Sequence, residues 1–210
     1  MIGIKTAPAG DTLFGKSKWW GFPDMPESLD FPEVPVNVEG ELYYDPLTLI
    51  CQIRCADLAP FDPEGLLPHD GMLYFFGAMD YFLGDMDADV APGMGEWSPQ
   101  HFKVLYAPGG EELHTHSIRY PDGTDACLPA EKMAFSVPSA GEEPYTRLLG
   151  EPYLDEVREA MPGMISLLQV DEDDRWDLRF YDSGMMNFLI TPEDLSARRF
   201  DRVRCYLHSF

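Results

Sequence analysis

Between Met164 and Phe210 every apolar run is short and cut by a turn signal, which leaves room for strands but not for long helices. The stretch runs M-I-S-L-L-Q-V, then acidic D-E-D-D, then D-S-G-M-M-N-F-L-I, T-P-E-D-L and F-D-R-V-R-C-Y-L-H. Gly184 stands directly before an apolar run, as a residue leaving a turn does. Thr191-Pro192-Glu193-Asp194 is a helix start. Thr is a good N-cap, Pro fits the first helical position, and acids favour the positive end of the dipole. From Asp201 the pattern alternates, with Val203, Cys205 and Leu207 on one face and Arg202, Arg204, Tyr206 and His208 on the other, the mark of a half-buried strand.

The rest of the chain follows the same rule, because 19 Pro and 18 Gly break it into short pieces. Residues 1–14 are expected to be a loose lead-in. Gly15 to Pro32 holds too many prolines and glycines for a helix, so Trp19, Trp20, Phe22 and Phe31 are expected to cover a core edge from an extended loop. Residues 33–45 look polar and irregular. Strands are predicted near 47–54, 71–77, 101–106, 131–137, 164–170, 185–190 and 201–208. The near-continuous apolar run of Gly71–Gly77 implies cover on both faces. Glu142 to Met161 is the best helical region: Leu154, Val157 and Met161 share a face and Pro162-Gly163 ends it.

An internal echo spans these strands. C-Q-I at Cys51–Ile53 is followed by Gly71-Met72-Leu73 with Phe75, and L-Q-V at Leu168–Val170 by Gly184-Met185-Met186 with Phe188. The expected fold is α+β, mostly antiparallel sheet with few short helices. It has a two-fold internal duplication in a single domain over 1–210, with packed halves at about 15–140 and 141–210.

The formal charge is -22. Residues 1–100 hold 4 basic against 17 acidic groups, and no Lys or Arg occurs from Ala56 to Phe102. Such a surface repels phosphates, so nucleic acid and anionic membranes are excluded as direct partners, whereas a basic protein or a cation is not. No apolar run approaches the roughly 18 residues of a membrane span, and no signal-peptide-like stretch opens the chain, so a cytoplasmic location is expected. Cys51, Cys55, Cys127 and Cys205 form no close pair and are expected to behave as small apolar residues rather than as zinc ligands.

Taken together, S-K-W-W-G-F-P-D-M-P, Q-I-R-C-A-D-L, D-G-M-L-Y-F-F, R-L-L-G, L-L-Q-V, D-S-G-M-M-N-F and E-D-L with F-D-R-V follow one another in an order that resembles the YwqG-like family of bacterial proteins. The resemblance covers about Gly15 to Phe210. It implies an α+β fold with internal duplication, no assigned activity and no catalytic residues to transfer. Relatives near toxin–immunity genes imply a binding role. Two departures stand out: Trp20-Gly21 where the family tends to Gly-Gly, and Phe180-Tyr181-Asp182 where it tends to Trp-Gly-Asp.

Candidate sites are few. Asp85, Asp87 and Asp89 with Glu96 imitate the order of a calcium loop, but Val90 stands where that loop's sharp turn needs Gly. His114 and His116, two apart on a strand, could share one side as zinc ligands, yet no third ligand is evident. Asp171-Glu172-Asp173-Asp174 is expected to be a solvated connector. There is no nucleophile elbow and no phosphate loop. No catalytic residue and no cofactor are therefore expected. The function expected is that of a non-catalytic, immunity- or adaptor-like binding protein, with Asp85, Asp87, Asp89 and Glu96 touching a basic protein partner. The rival readings are a metal-dependent hydrolase using His114 and His116, and a cation-binding domain.

Overall fold

The computed structural model describes residues 1–79, 92–120 and 122–210. In chain order its strands are β1 (Ile2–Pro8), β2 (Lys18–Trp19), β3 (Asp24–Pro26), β4 (Glu33–Val38), β5 (Glu41–Pro46), β6 (Thr48–Arg54), β7 (Met72–Gly77) and β8 (Gly95–Trp97). There follow β9 (Phe102–Ala107), β10 (Leu113–Thr115), β11 (Glu131–Ser136), β12 (Arg147–Leu148), β13 (Ile165–Asp171), β14 (Gly184–Ile190) and β15 (Arg204–Ser209). Among the described residues there are also two short α-helices, α1 (Asp155–Ala160) and α2 (Pro192–Ser196), and four single 3-10 turns.

Eleven strands form one antiparallel sheet in the order β8-β15-β14-β13-β12-β1-β11-β2-β6-β7-β9. Its two edge strands, β8 and β9, are joined by a short connection, so the sheet curls into a nearly closed barrel. The inward faces of both arms meet in one core. Phe75 of β7 meets Phe188 of β14 edge-on at 5.4 Å, and in the same core Trp19 stacks on Trp176 while Trp20 meets both edge-on. Each fully buried large side chain here contributes on the order of 2 kcal/mol. The outer face of β6 and β7 is covered by the small β3–β10 and β4–β5 sheets, and that of β14 and β15 by α1. Among the described residues no helix is long and apolar enough to cross a membrane.

The arms repeat one another. β2-β6-β7-β9 and β12-β13-β14-β15 have the same antiparallel order, and each has a bulge at the same place, between Leu49 and Cys51 and between Ser166 and Leu168. The strand preceding each arm crosses over: β1 pairs with β12, β11 pairs with β2, and β1 and β11 pair with each other. The seams match, with Gly3 opposite Arg147 and Lys132 opposite Lys18. The same separation divides Gly3 from Lys18 and Lys132 from Arg147.

The predicted strands at 47–54, 71–77, 101–106, 131–137, 164–170 and 185–190 are present to within a residue or so. Four expectations need correction. Residues 2–8 are a central strand, not a lead-in, with Ile2 and Ile4 buried. Residues 33–46 form the β4–β5 hairpin; its outward residues hid the alternation. The last strand starts at Arg204, because Phe200–Arg202 make a 3-10 turn. The helix predicted over 142–161 shrinks to Asp155–Ala160, since Gly150 and Pro152 interrupt it and Arg147-Leu148 are recruited to the sheet. The Leu154, Val157 and Met161 face does pack as read.

Candidate functional site

Asp85, Asp87 and Asp89 lie outside the described residues. Glu96, on β8, is held by Arg204 of the neighbouring β15, Nε and Nη2 each donating to one carboxylate oxygen at 2.6 Å. Those bonds, against the opposing effect of burial and with the Arg204 charge adding, hold its carboxyl below the usual range. Glu96 is thus already paired. His114 is half exposed and 4.0 Å from Glu27, while His116 is packed against Phe31. Among the described residues no group of three or more His, Cys, Asp or Glu could hold a metal ion.

What the fold does bring together is a pair of matching polar centres on the outer sheet face. In the first arm the Gln52 amide donates through Nε2 to Lys16 O and to Asp24 Oδ2, and its Oε1 accepts from Asp24 N. In the second arm Gln169 Nε2 donates to Tyr145 O and Oε1 accepts from Tyr153 N. Each glutamine thus ties down the chain before and after a buried cation, Lys18 opposite Gln52 and Arg147 opposite Gln169. Each cation starts the same turn, with Trp20 and Leu149 at positive φ and Gly21 and Gly150 after them. A left-handed Trp or Leu costs of order 1–3 kcal/mol, so the surrounding bonds must hold these turns.

The first centre carries a charge pair. Lys18 Nζ donates to Asp24 Oδ2 at 2.8 Å with both side chains nearly inaccessible. Asp24 also accepts from Gly15 N and, through Oδ1, from Thr115 Oγ1. Burial opposes its charge, but the hydrogen bonds from Lys18 and Thr115, the Lys18 charge and the Gly15 amide outweigh it and hold the carboxyl below its ordinary value. Tyr74 donates to the Asp24 carbonyl at 2.7 Å. A cavity of about 390 Å³ opens above the pair, lined in part by Phe14, Phe22, Thr115 and Cys127. Burial and Asp125 push the Cys127 thiol up to about 11, with Lys18 opposing, so it is no ready nucleophile. Asp24, with four donors, is equally ill suited to proton transfer. Sequence reading noticed the two Gln-centred echoes but not their role; a glutamine inside an apolar strand was the available signal.

Among the described residues a group of exposed apolar side chains lies elsewhere, on the β4–β5 hairpin. Its two-residue loop, Glu39-Gly40, has positive φ at both positions, the turn that best matches strand twist. β5 is exposed from Glu41 through Asp45, presenting Leu42, Tyr43 and Tyr44 together with Val38 of β4. Glu33, Glu39, Glu41 and Asp45 lie among them, and no Lys or Arg occurs between Lys18 and Arg54. Tyr43 donates to Glu41 at 2.7 Å, which raises its phenol above the ordinary value.

The family model described as Domain of unknown function (DUF1963) matches residues 17–151 and, in an overlapping second segment, 135–208. The chain belongs to the DUF1963 family. The first DUF1963 segment contains the Lys18–Gln52 centre and the second the Arg147–Gln169 centre. No curated protein matches the chain.

Proposed function

We propose that this DUF1963 protein is a non-catalytic binding protein, immunity- or adaptor-like, whose β4–β5 hairpin engages a basic protein partner. The observation that carries the reading is a strand exposed along most of its length that presents Leu42, Tyr43 and Tyr44 among acids without a neighbouring base in sequence. Tyrosines of this kind supply contact area at interfaces, and the acids speed encounter with a positive surface. The YwqG-like resemblance, with relatives near toxin–immunity genes, supports the same role. Asp85, Asp87 and Asp89 are kept, on their sequence alone, as proposed acidic contacts, whereas Glu96, engaged by Arg204, contributes less.

The matching bulges, glutamine bonds and exchanged first strands, with two overlapping family matches, support an origin of the arms by duplication. In this reading the second copy begins at β11 rather than near residue 141.

The test is affinity capture from a native lysate at low and high salt, with a Leu42→Ala/Tyr44→Ala variant alongside. Retention of a basic protein at low salt, lost at high salt and at least tenfold weaker for the variant, supports the proposal. Equal retention by the variant sinks it, as does the absence of any basic protein. Both substitutions are at exposed positions and should leave the fold intact.

A further inference from the structure

The second arm holds a cavity that the hairpin reading does not use. It measures about 350 Å³ and is walled by Tyr145, Tyr153, Asp171, Glu172, Met185 and Phe210. Tyr145 and Tyr153 meet edge to face at 4.8 Å. Tyr145 and Phe210 are among the exposed large apolar residues. Glu172 takes the amides of Phe180 and Gly184 on one oxygen, Oε1, at 2.8 and 3.1 Å. Its Oε2 has no bonded donor among the described residues. Neither Asp171 nor Glu172 forms an ion pair among them.

The corresponding place in the first arm shows that the fold does not require this chemistry. Gln52 and Gln169 are counterparts, so Arg54 stands where Asp171 does, and Gly71 where Gly184 does. Arg54 carries its own partner, donating through Nε and Nη2 to Asp57 Oδ1. The cavity there, about 250 Å³, is lined by Arg54, Gly71, Met72 and Gly109, without an aromatic wall. One arm therefore neutralises the position internally, while the other sets carboxylates that form no ion pair among the described residues beside three aromatic rings.

We propose that the cavity between Tyr145, Tyr153, Asp171, Glu172 and Phe210 binds an organic cation, an ammonium or guanidinium group on an apolar stem. Aromatic faces attract such weakly hydrated cations, and carboxylates beside them add charge and hydrogen bonds. A small metal ion would instead need a close set of oxygen ligands. The chain's charge of -22 raises the local concentration of any cation. Asp171 is in the state that a cation would relieve: burial, with the Glu172 amide opposing and the charges of Glu172 and Asp173 adding, pushes its carboxyl up to about 6.

The group can come from a free small molecule or from the side chain of a basic protein, and the experiment separates them. Arginine amide, spermidine and an arginine-containing peptide are titrated at constant ionic strength into the full chain, following the ring resonances of Tyr145, Tyr153 and Phe210 by NMR. Citrulline amide, the neutral counterpart of arginine amide, is the control. Saturable shifts with arginine amide or spermidine assign a free cation, and saturation with the peptide alone assigns a side chain. In either case Asp171→Asn and Tyr145→Ala should weaken binding at least fivefold, with thermal unfolding confirming that both variants fold. The proposal is overturned if no probe saturates, if citrulline amide binds as well as arginine amide, or if both variants bind like the parent. The Leu42→Ala/Tyr44→Ala variant should bind the cation normally, so this proposal and the hairpin reading fail separately.

Discussion

Lys18 and Asp24 illustrate how a residue's role depends on what the fold places around it. In sequence they are two charges in an aromatic loop; in the structure they form an enclosed pair fixed by Gln52, Thr115 and Gly15. Removing one partner strands the other charge away from water. Asp24→Ala should destabilise the protein by about 3–5 kcal/mol in urea unfolding, whereas replacing both residues by apolar ones of similar size should recover most of the loss. Asp171 behaves in the opposite sense. Its carboxyl rises from an ordinary 3.8 to about 6 on folding. Well below pH 3.8 it is protonated in both states and costs nothing. As pH rises towards 6 the unfolded chain ionises freely while the folded one resists, and stability is lost. Asp171→Asn should therefore raise stability near pH 7.5, by about 1 kcal/mol once solvent screening is allowed for, and the gain should vanish only below about pH 3 in paired thermal melts. The D-E-D-D connector was expected to be solvated. Instead Asp173 caps a 3-10 turn and binds Arg175, Glu172 ties two amides, and Asp171 is half-buried. Composition cannot show this, because the bonds come from residues that the sheet brings back to the loop.

At the scale of elements, legibility followed burial pattern. β7 and β14 were readable because a strand covered on both faces is apolar throughout, and both are buried along their whole length. β5 was not, since a strand exposed along most of its length has no apolar face to alternate with a polar one. The helix at 142–161 was over-extended because periodicity at Leu154, Val157 and Met161 is real but local, and the cation-led turn at Arg147 competes for the preceding residues. Thr191 was read correctly as a cap; its Oγ1 accepts from Asp194 N at 3.1 Å. Gly184, read as a turn signal, and its counterpart Gly71 have a further reason to be glycine. A Cβ would lie 2.1 Å from Ala107 O at Gly71 and 2.4 Å from His208 O at Gly184. Both obstacles are backbone of the adjacent strand, so neither can swing aside. Gly184→Ala should cost at least about 2–3 kcal/mol through a forced shift of β15, whereas Gly110→Ala, with positive φ but open space, should cost only about 1 kcal/mol. Chemical denaturation of the two variants gives the comparison.

At the scale of the molecule, the exchanged strands decide whether the arms can stand alone. β1 hydrogen-bonds β12 on one side and β11 on the other, and β11 in turn hydrogen-bonds β2. The path through the sheet from one arm to the other therefore runs through β1. The common core reinforces this, because Phe75 and Phe188 come from different arms and bury each other. Deleting residues 1–8 would expose the inner edges of β12 and β11, remove Ile2 and Ile4 from the core, and leave each arm with an unpaired strand edge. The expected outcome is loss of cooperative unfolding across the whole chain, together with rapid proteolysis in both arms and a tendency to associate. A lead-in peptide would predict the contrary: an unchanged melting transition and no new cleavage sites beyond residue 8. Limited proteolysis read by mass spectrometry, beside a thermal melt of the shortened chain, distinguishes the two, and an intact protected fragment spanning 131–210 would show that the second arm folds without β1.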